Sequence, residues 1–308
     1  MEASRYDDPD AAVIIKKQPF DCYDSLLFKF QVNRSYFIRK CYIMKKFFLN
    51  ATFSFAVCAL FLSPALAGNQ LVVPKNENES YGYTDTPKQP WSEYLVHDAK
   101  RPIPKKVNPA PPTYFAEAPK DAIVLFDGTN TDAWKPTQWK LTNGVIECTT
   151  GPFETKDKFK SFQLHLEWLS PANFEGPWGN QGNNGLVLLG AYEIQIFDSF
   201  KVNNYPDGAC GAVYGQTPPL VNACTPAGNW QTYDVFFTPA KFDGDKQIAP
   251  PRVTVVQNGI MIQNNTEIYG STSHGNLPGP NPKEGPIRLS GHGCPVQFRN
   301  IWIRPFDN

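Results

Sequence analysis

The segment Tyr192-Glu193-Ile194-Gln195-Ile196-Phe197-Asp198 admits little but a β-strand, because β-branched and aromatic residues alternate with polar ones at its start. Successive side chains of a strand point to opposite faces. Tyr192, Ile194 and Ile196 therefore line one face, suited to a core, while Glu193 and Gln195 line the other. On that second face a carboxylate and an amide stand roughly 7 Å apart along one strand, a spacing that suits the hydroxyl array of a sugar. Asp198 falls on the apolar face unless a bulge intervenes, and bulges are frequent next to active sites. The competing reading makes Glu193 and Gln195 a plain solvated face of an antiparallel sheet.

The same alternation recurs. Phe162, Leu164, Leu166 and Trp168 form a core face, with Gln163, His165 and Glu167 opposite. Further strands are expected at Ala122–Phe126, Gly185–Leu189, Thr232–Phe237, Arg252–Gln257, Ile260–Gln263, Ile287–Leu289 and Val296–Arg304, with a hairpin from Trp139 to Ile146. Asn143-Gly144 and Asn258-Gly259 are two-residue hairpin turns. With 29 Pro, 22 Gly and 14% aromatic residues in 308, and few long helical patterns, the chain reads as all-β. About ten short strands at this spacing indicate a jelly-roll β-sandwich for residues 121–308. Residues 68–120, dense in proline, read as an extended or partly disordered arm that Trp91 and Tyr94 pin to the domain surface.

Charge and cysteines narrow the setting. Lys and Arg total 29 against 29 Asp and Glu, and no basic run is interleaved with aromatics, so nucleic acid is not an expected partner. Met44-Lys45-Lys46, the apolar run Phe47 to Leu62 and the Ala65-Leu66-Ala67 site read as a secretory signal peptide over 44–67, cleaved before Gly68. A retained membrane anchor is the alternative. Residues 1–43 precede it, so Met44 is expected to be the true first residue, and no fold is assigned to them. Export would leave Cys148, Cys210, Cys224 and Cys294, for which two disulfides are expected, Cys210–Cys224 and Cys148–Cys294. A zinc site is the alternative, but no CxxC spacing is present. The localisation expected is secreted or periplasmic, with no membrane association after cleavage.

Several motifs occur in a telling order: Leu125-Phe126-Asp127-Gly128, Leu164-His165-Leu166-Glu167-Trp168, Gly182-Asn183-Asn184-Gly185, the Tyr192–Asp198 strand, Gly211-Ala212-Val213-Tyr214-Gly215, Gly228 to Asp234 and Gly293 to Ile303. Together they resemble the 3-keto-disaccharide hydrolase family from about Ala122 to Pro305. The resemblance implies a concanavalin/laminin-G-like sandwich acting on 3-keto-glucosides by 1,2-elimination and rehydration. Two departures stand out. Asn184 occupies a position where the family usually has serine, and Gly291, before His292, one where it usually has an acid.

A ketone at C3 acidifies the hydrogen at C2, so a base can remove it and the C1 substituent can leave. That chemistry needs a base near the working pH, a proton donor for the leaving oxygen and a group that stabilises the enolate. Glu193 is the candidate base, Glu167 the candidate acid, and His292 an acid, a base or a ligand for a possible divalent metal. Gln195, Asn183 and Asp198 are candidate substrate contacts, and Arg299 the candidate enolate stabiliser. The competing readings make Glu167 a surface residue, His292 a turn histidine and Arg299 an ion-pair partner. Glu193-x-Gln195-x-x-Asp198 also mimics the catalytic strand of retaining β-glucanases, but an amide replaces a carboxylate that double displacement requires. A non-catalytic sugar-binding module is the other alternative.

Overall fold

The computed structural model describes residues 70–111, 114 and 117–306. The expected signal segment 44–67 and residues 1–43, with Cys22, Cys41 and Cys58, lie outside them. In chain order the strands are β1 (Leu71–Val72), β2 (Gly82–Tyr83), β3 (Ile123–Phe126), β4 (Lys140–Thr142), β5 (Val145–Glu147), β6 (Thr150–Glu154), β7 (Phe162–Leu169) and β8 (Asn184–Leu188). They continue with β9 (Tyr192–Ile196), β10 (Trp230–Thr238), β11 (Lys241–Asp243), β12 (Lys246–Ala249), β13 (Arg252–Gln257), β14 (Ile260–Glu267), β15 (Arg288–His292) and β16 (Gln297–Pro305). Two antiparallel sheets dominate. The larger runs β14-β13-β10-β7-β16-β5-β4, with β3 also on β16, and the smaller runs β6-β15-β8-β9. No helix among the described residues is long and apolar enough to cross a membrane.

The alternating residues bury as a sandwich core. Phe162, Leu164, Leu166 and Trp168 of β7 are fully buried, as are Tyr192, Ile194 and Ile196 of β9. Across the gap Tyr192 meets Phe237 of β10 at 5.6 Å between ring centroids, and Trp168 meets Tyr233 on its own sheet at 5.8 Å. Tyr233 also crosses the layers, its hydroxyl donating to the Gln195 carbonyl at 2.8 Å. Each such large apolar side chain contributes about 1.5–3 kcal/mol through burial, so Trp168→Ala would cost about 3–5 kcal/mol. Asn143 and Asn258 adopt φ of 51°, and Gly144 and Gly259 each 76–78°, the left-handed pair that a two-residue hairpin turn requires.

Several expectations need correcting. Ile123 and Val124 are exposed, since β3 lies at the margin of the large sheet and only Leu125 and Phe126 reach the core. β6 carries Gly151 and Pro152, which hide its strand character, and proline is tolerated because β6 is an edge. The arm is more structured than its prolines suggest. β1 and β2 pair, Trp91 stacks on Tyr269 at 4.2 Å, and Val107 N–H donates to the Asn222 carbonyl at 2.9 Å. The expected disulfides are absent: Cys148, Cys210, Cys224 and Cys294 are buried free thiols. The spacing found neighbours but not a bond. Gln257 Nε2 contacts the sulfurs of Cys210 and Cys224 at 3.5 and 3.4 Å, and Cys210 Sγ lies 2.9 Å from the Tyr233 hydroxyl. Burial pushes Cys148 up to about 12 and Cys294 up to about 11, so both stay protonated and unreactive.

Candidate functional site

The free edge of β9 is covered by the 211–214 segment, which fixes what stands beside Glu193. Gly211 N–H donates to the Gln195 carbonyl (2.8 Å), Gln195 N–H to Ala212 (3.0 Å) and Tyr214 N–H to Glu193 (3.0 Å). Tyr192, Ile194 and Ile196 point inward, so Glu193 and Gln195 point to the outer face of the small sheet. Register places Val187 and Arg288 level with Glu193, and Gly185 and Ser290 level with Gln195. Gly185 is the opening in this row. A β-carbon there would lie 2.4 Å from Glu193 Oε1, so the carboxylate lies across the space a side chain would fill.

Glu193 is partly accessible, and among the described residues its carboxylate makes no hydrogen bond or ion pair. Burial pushes it up to about 7, opposed by Arg288. That value suits a general base near neutrality. Arg288 is half-buried, and its Nε has no hydrogen-bond partner among the described residues. Beside Glu193 the Tyr214 hydroxyl is 2.7 Å from the Tyr205 hydroxyl and 2.7 Å from His274 Nδ1. Burial, with Tyr205 and Glu193 adding to it, holds the Tyr214 phenol well above its usual range. His274 is pushed down to about 4 by partial burial and by His97, so it is neutral at pH 7.

Behind this row the arm contributes a buried cluster that the proline pattern gave no reason to expect. His97 is 0% exposed, adopts φ of 59° and stacks on Tyr205 at 3.9 Å. Its Nδ1 lies 3.2 Å from Asp207 Oδ1, and its backbone N–H donates to Asp207 Oδ2 at 2.9 Å. Burial alone would raise Asp207, but His97 and Arg101 outweigh it and hold the carboxyl below its usual range. The Arg101 guanidinium reaches Asp207 at 3.9 Å, and Gln89 bonds both Arg101 and the Gly215 carbonyl. A lone histidine in a proline-rich stretch carries no spacing signal, so only the fold reveals it.

The sequence-predicted residues divide. Glu193, Gln195 and His292 share the outer face of the small sheet. Gln195 is 3% exposed, its Oε1 without a partner among the described residues, so it lies beneath the 204–216 cover. His292 is four residues along and two strands across from Glu193, roughly 16 Å between Cα atoms, and its carbonyl accepts from Asn180 Nδ2 at 3.0 Å. Asn183 donates to the Gly179 carbonyl at 2.9 Å. Asp198 lies just past β9 and caps a turn, its Oδ1 accepting from Lys201 N–H at 3.2 Å, while burial raises its carboxyl. Glu167 does not join them, because it stands opposite the core residues of β7, on the outer face of the large sheet. There Arg299 Nε donates to it at 2.7 Å and Asn300 Nδ2 at 3.0 Å. Arg299 is thereby its ion-pair partner rather than a neighbour of Glu193. Gly291 faces inward: a β-carbon there would lie 2.6 Å from Cys148 Sγ and 3.1 Å from Trp139, so an acid restored at 291 would enter the core and not reach His292. Among the described residues no group of three or more His, Cys, Asp or Glu could hold a metal ion.

The chain is similar to known proteins in sequence and in fold. A curated 3-keto-disaccharide hydrolase of Bacteroides thetaiotaomicron is 23% identical over 243 residues, 62% of this chain and 81% of that protein. A crystal structure of a candidate glycosyl hydrolase from Parabacteroides distasonis is 37% identical with a TM-score of 0.60, covering 73% of this chain and 99% of that one. Residues 121–304 match the model of the 3-keto-alpha-glucoside-1,2-lyase-like domain. The chain belongs to the 3-keto-alpha-glucoside-1,2-lyase-like family.

Proposed function

We propose that this protein is a carbohydrate-active enzyme that cleaves 3-keto-glucosides, with Glu193 as the base of a 1,2-elimination. One observation carries the reading: an unpaired, partly accessible carboxylate, raised to about 7 by burial, lies over the gap at Gly185. Such a group is ionised often enough at neutral pH to take a proton, and basic enough to hold it.

Glu193 removes the proton from C2 of the sugar, and the C2–H electrons form an enolate whose charge rests on the C3 oxygen. Arg288, on the same face with an unpartnered Nε, supplies positive charge for that oxygen. The enolate re-forms the ketone and a C1–C2 double bond as the C1–O bond breaks. Tyr214, kept protonated by its surroundings, donates to the leaving oxygen, and neutral His274 sits on its hydroxyl to relay a replacement proton. Water then adds across the C1–C2 double bond, hydroxide to C1 and a proton to C2, so that the net change is hydrolysis. Export to the periplasm or medium is part of the same proposal and rests on the 44–67 segment; a mature protein starting at Gly68 would support it.

Incubation with a 3-keto-α-glucoside and, separately, its unoxidised parent tests the reading. Only the keto sugar should be consumed, and Glu193→Gln should abolish this. Consumption of the parent alone points to direct glycoside hydrolysis, and consumption of neither to a binding module.

A further inference from the structure

A cavity lies between the arm and the domain. Its volume is about 660 Å³, within the range of about 300–1,000 Å³ usual for small-molecule sites. Glu77, Tyr81 and Lys105 line it from the arm, and Trp178, Lys201 and Asn203 from the domain. The arm wall is held in place from both sides. Asn203 Nδ2 donates to the Glu77 carbonyl at 2.7 Å, Tyr81 N–H donates to the Asn203 carbonyl at 3.0 Å, and the His97–Asp207 pair anchors the chain further on. Tyr81 stacks on Trp178 at 4.1 Å, and Trp178 meets Tyr205 edge-on at 6.2 Å. Tyr205 is the hydroxyl partner of Tyr214, so a chain of packed rings runs from the cavity wall at Trp178 to the proton-donor side of the Glu193 site.

We propose that this cleft is the subsite for the sugar on the leaving-group side, and that the arm, outside the matched residues 121–304, is its specificity-determining wall. The proposal rests on the function inferred above. Glu77, Lys105 and Lys201 are exposed, and carboxylate, ammonium and amide groups alternate around an aromatic pair. A polyanion would meet the glutamates, and a cation the lysines. A neutral polyhydroxyl compound can give to one and accept from the other. The ring chain from Trp178 through Tyr205 sets the cleft on the proton donor's side of the site, the side on which a leaving sugar lies when its oxygen receives the proton.

The test compares wild type with Glu77→Ala/Lys105→Ala, both exposed and outside the catalytic row, on methyl 3-keto-α-glucoside and on a 3-keto-α-glucosyl-glucose disaccharide. Loss of two hydrogen bonds should lower kcat/KM for the disaccharide about tenfold and leave the methyl glycoside unchanged. Equal loss on both substrates, or no loss on either, overturns the proposal. Titration with unoxidised maltose separates this from a failure of the proposed reaction. If wild type turns over neither keto sugar, weaker maltose binding by the double variant still sustains the cleft, and equal or absent binding by both proteins refutes it.

Discussion

The two outer faces of the sandwich each hold a glutamate on the non-core side of a strand, and they treat it in opposite ways. On the large sheet Glu167 is 0% exposed, bound by Arg299 at 2.7 Å and Asn300 at 3.0 Å, with His165 Nε2 at 3.9 Å. Arg299 in turn lies 3.9 Å over the Trp230 ring, and His165 Nδ1 is 2.7 Å from Asp234. On the small sheet the Glu193 carboxylate makes no hydrogen bond or ion pair among the described residues, and burial, opposed by the charge of Arg288, raises it to about 7. A carboxylate whose charge is matched serves the fold; one left unmatched and reachable is available for chemistry.

Exchanging each glutamate for glutamine is the strongest way to break this contrast. Glu193→Gln should lower turnover of a 3-keto-glucoside by about 10²–10⁴-fold, the usual contribution of a positioned base. Stability should move the other way. As pH rises from about 4.5 to about 7 the unfolded carboxyl ionises before the folded one, so this residue costs stability that the variant regains, on the order of 3 kcal/mol at pH 8. Glu167→Gln should instead cost about 3–5 kcal/mol, because it leaves Arg299 facing a neutral amide in a buried site. Its turnover well below the melting temperature should match wild type. A stable Glu167→Gln protein without activity would reverse the assignment of the two faces.

His165 sharpens the comparison through pH. Burial alone would lower its pKa, but hydrogen bonds to Asp234 and Glu167 outweigh that and raise it to about 9. A histidine raised on folding adds stability that is full below about 6.5 and is lost as pH rises through about 9. Thermal melts should therefore fall across pH 6.5–9 by an amount on the order of 2 kcal/mol, and His165→Gln should flatten that slope. A wild-type stability curve flat over this window would remove the ion-paired account of the large-sheet face.

The sandwich was legible because its strands alternate strictly and its hairpins carry Asn-Gly. So was Glu193, whose parity sets it on the non-core face of β9. Parity says which side of its own sheet a residue takes, but not which of the two outer faces it shares with another. Glu167 and Glu193 thus look equivalent in sequence and stand on opposite sides. Arg299 followed the same error. A bulge between Arg299 and Trp302, with Asn300 at φ of 46°, turns both Arg299 and Asn300 toward Glu167. Tyr214 and His274 come from covering segments, and His97 from the proline-rich arm. None of these has a periodicity to read, because loops position side chains through tertiary contacts alone.

Gly185 offers the smallest and most local test of the small-sheet face. Its φ is not in the left-handed region, so alanine is allowed by the backbone. The three nearest atoms a β-carbon would meet all belong to Glu193: Oε1 at 2.4 Å, Cδ at 2.8 Å and Cγ at 2.9 Å. A flexible carboxylate can move aside, so Gly185→Ala should leave the melting temperature almost unchanged. Displacing the base should nevertheless lower kcat/KM about tenfold, on the order of 1.4 kcal/mol. A shifted carboxylate also changes its burial, so the acid limb of the pH–rate profile should move from about 7 toward the ordinary carboxylate range. If alanine merely obstructed substrate, KM would rise and that limb would stay in place. In the Gly185→Ala background, Glu193→Asp shortens the side chain that clashes, so the two changes should combine to less than the sum of their separate losses. Strict additivity would mean that the glycine and the glutamate do not share the space assigned to them.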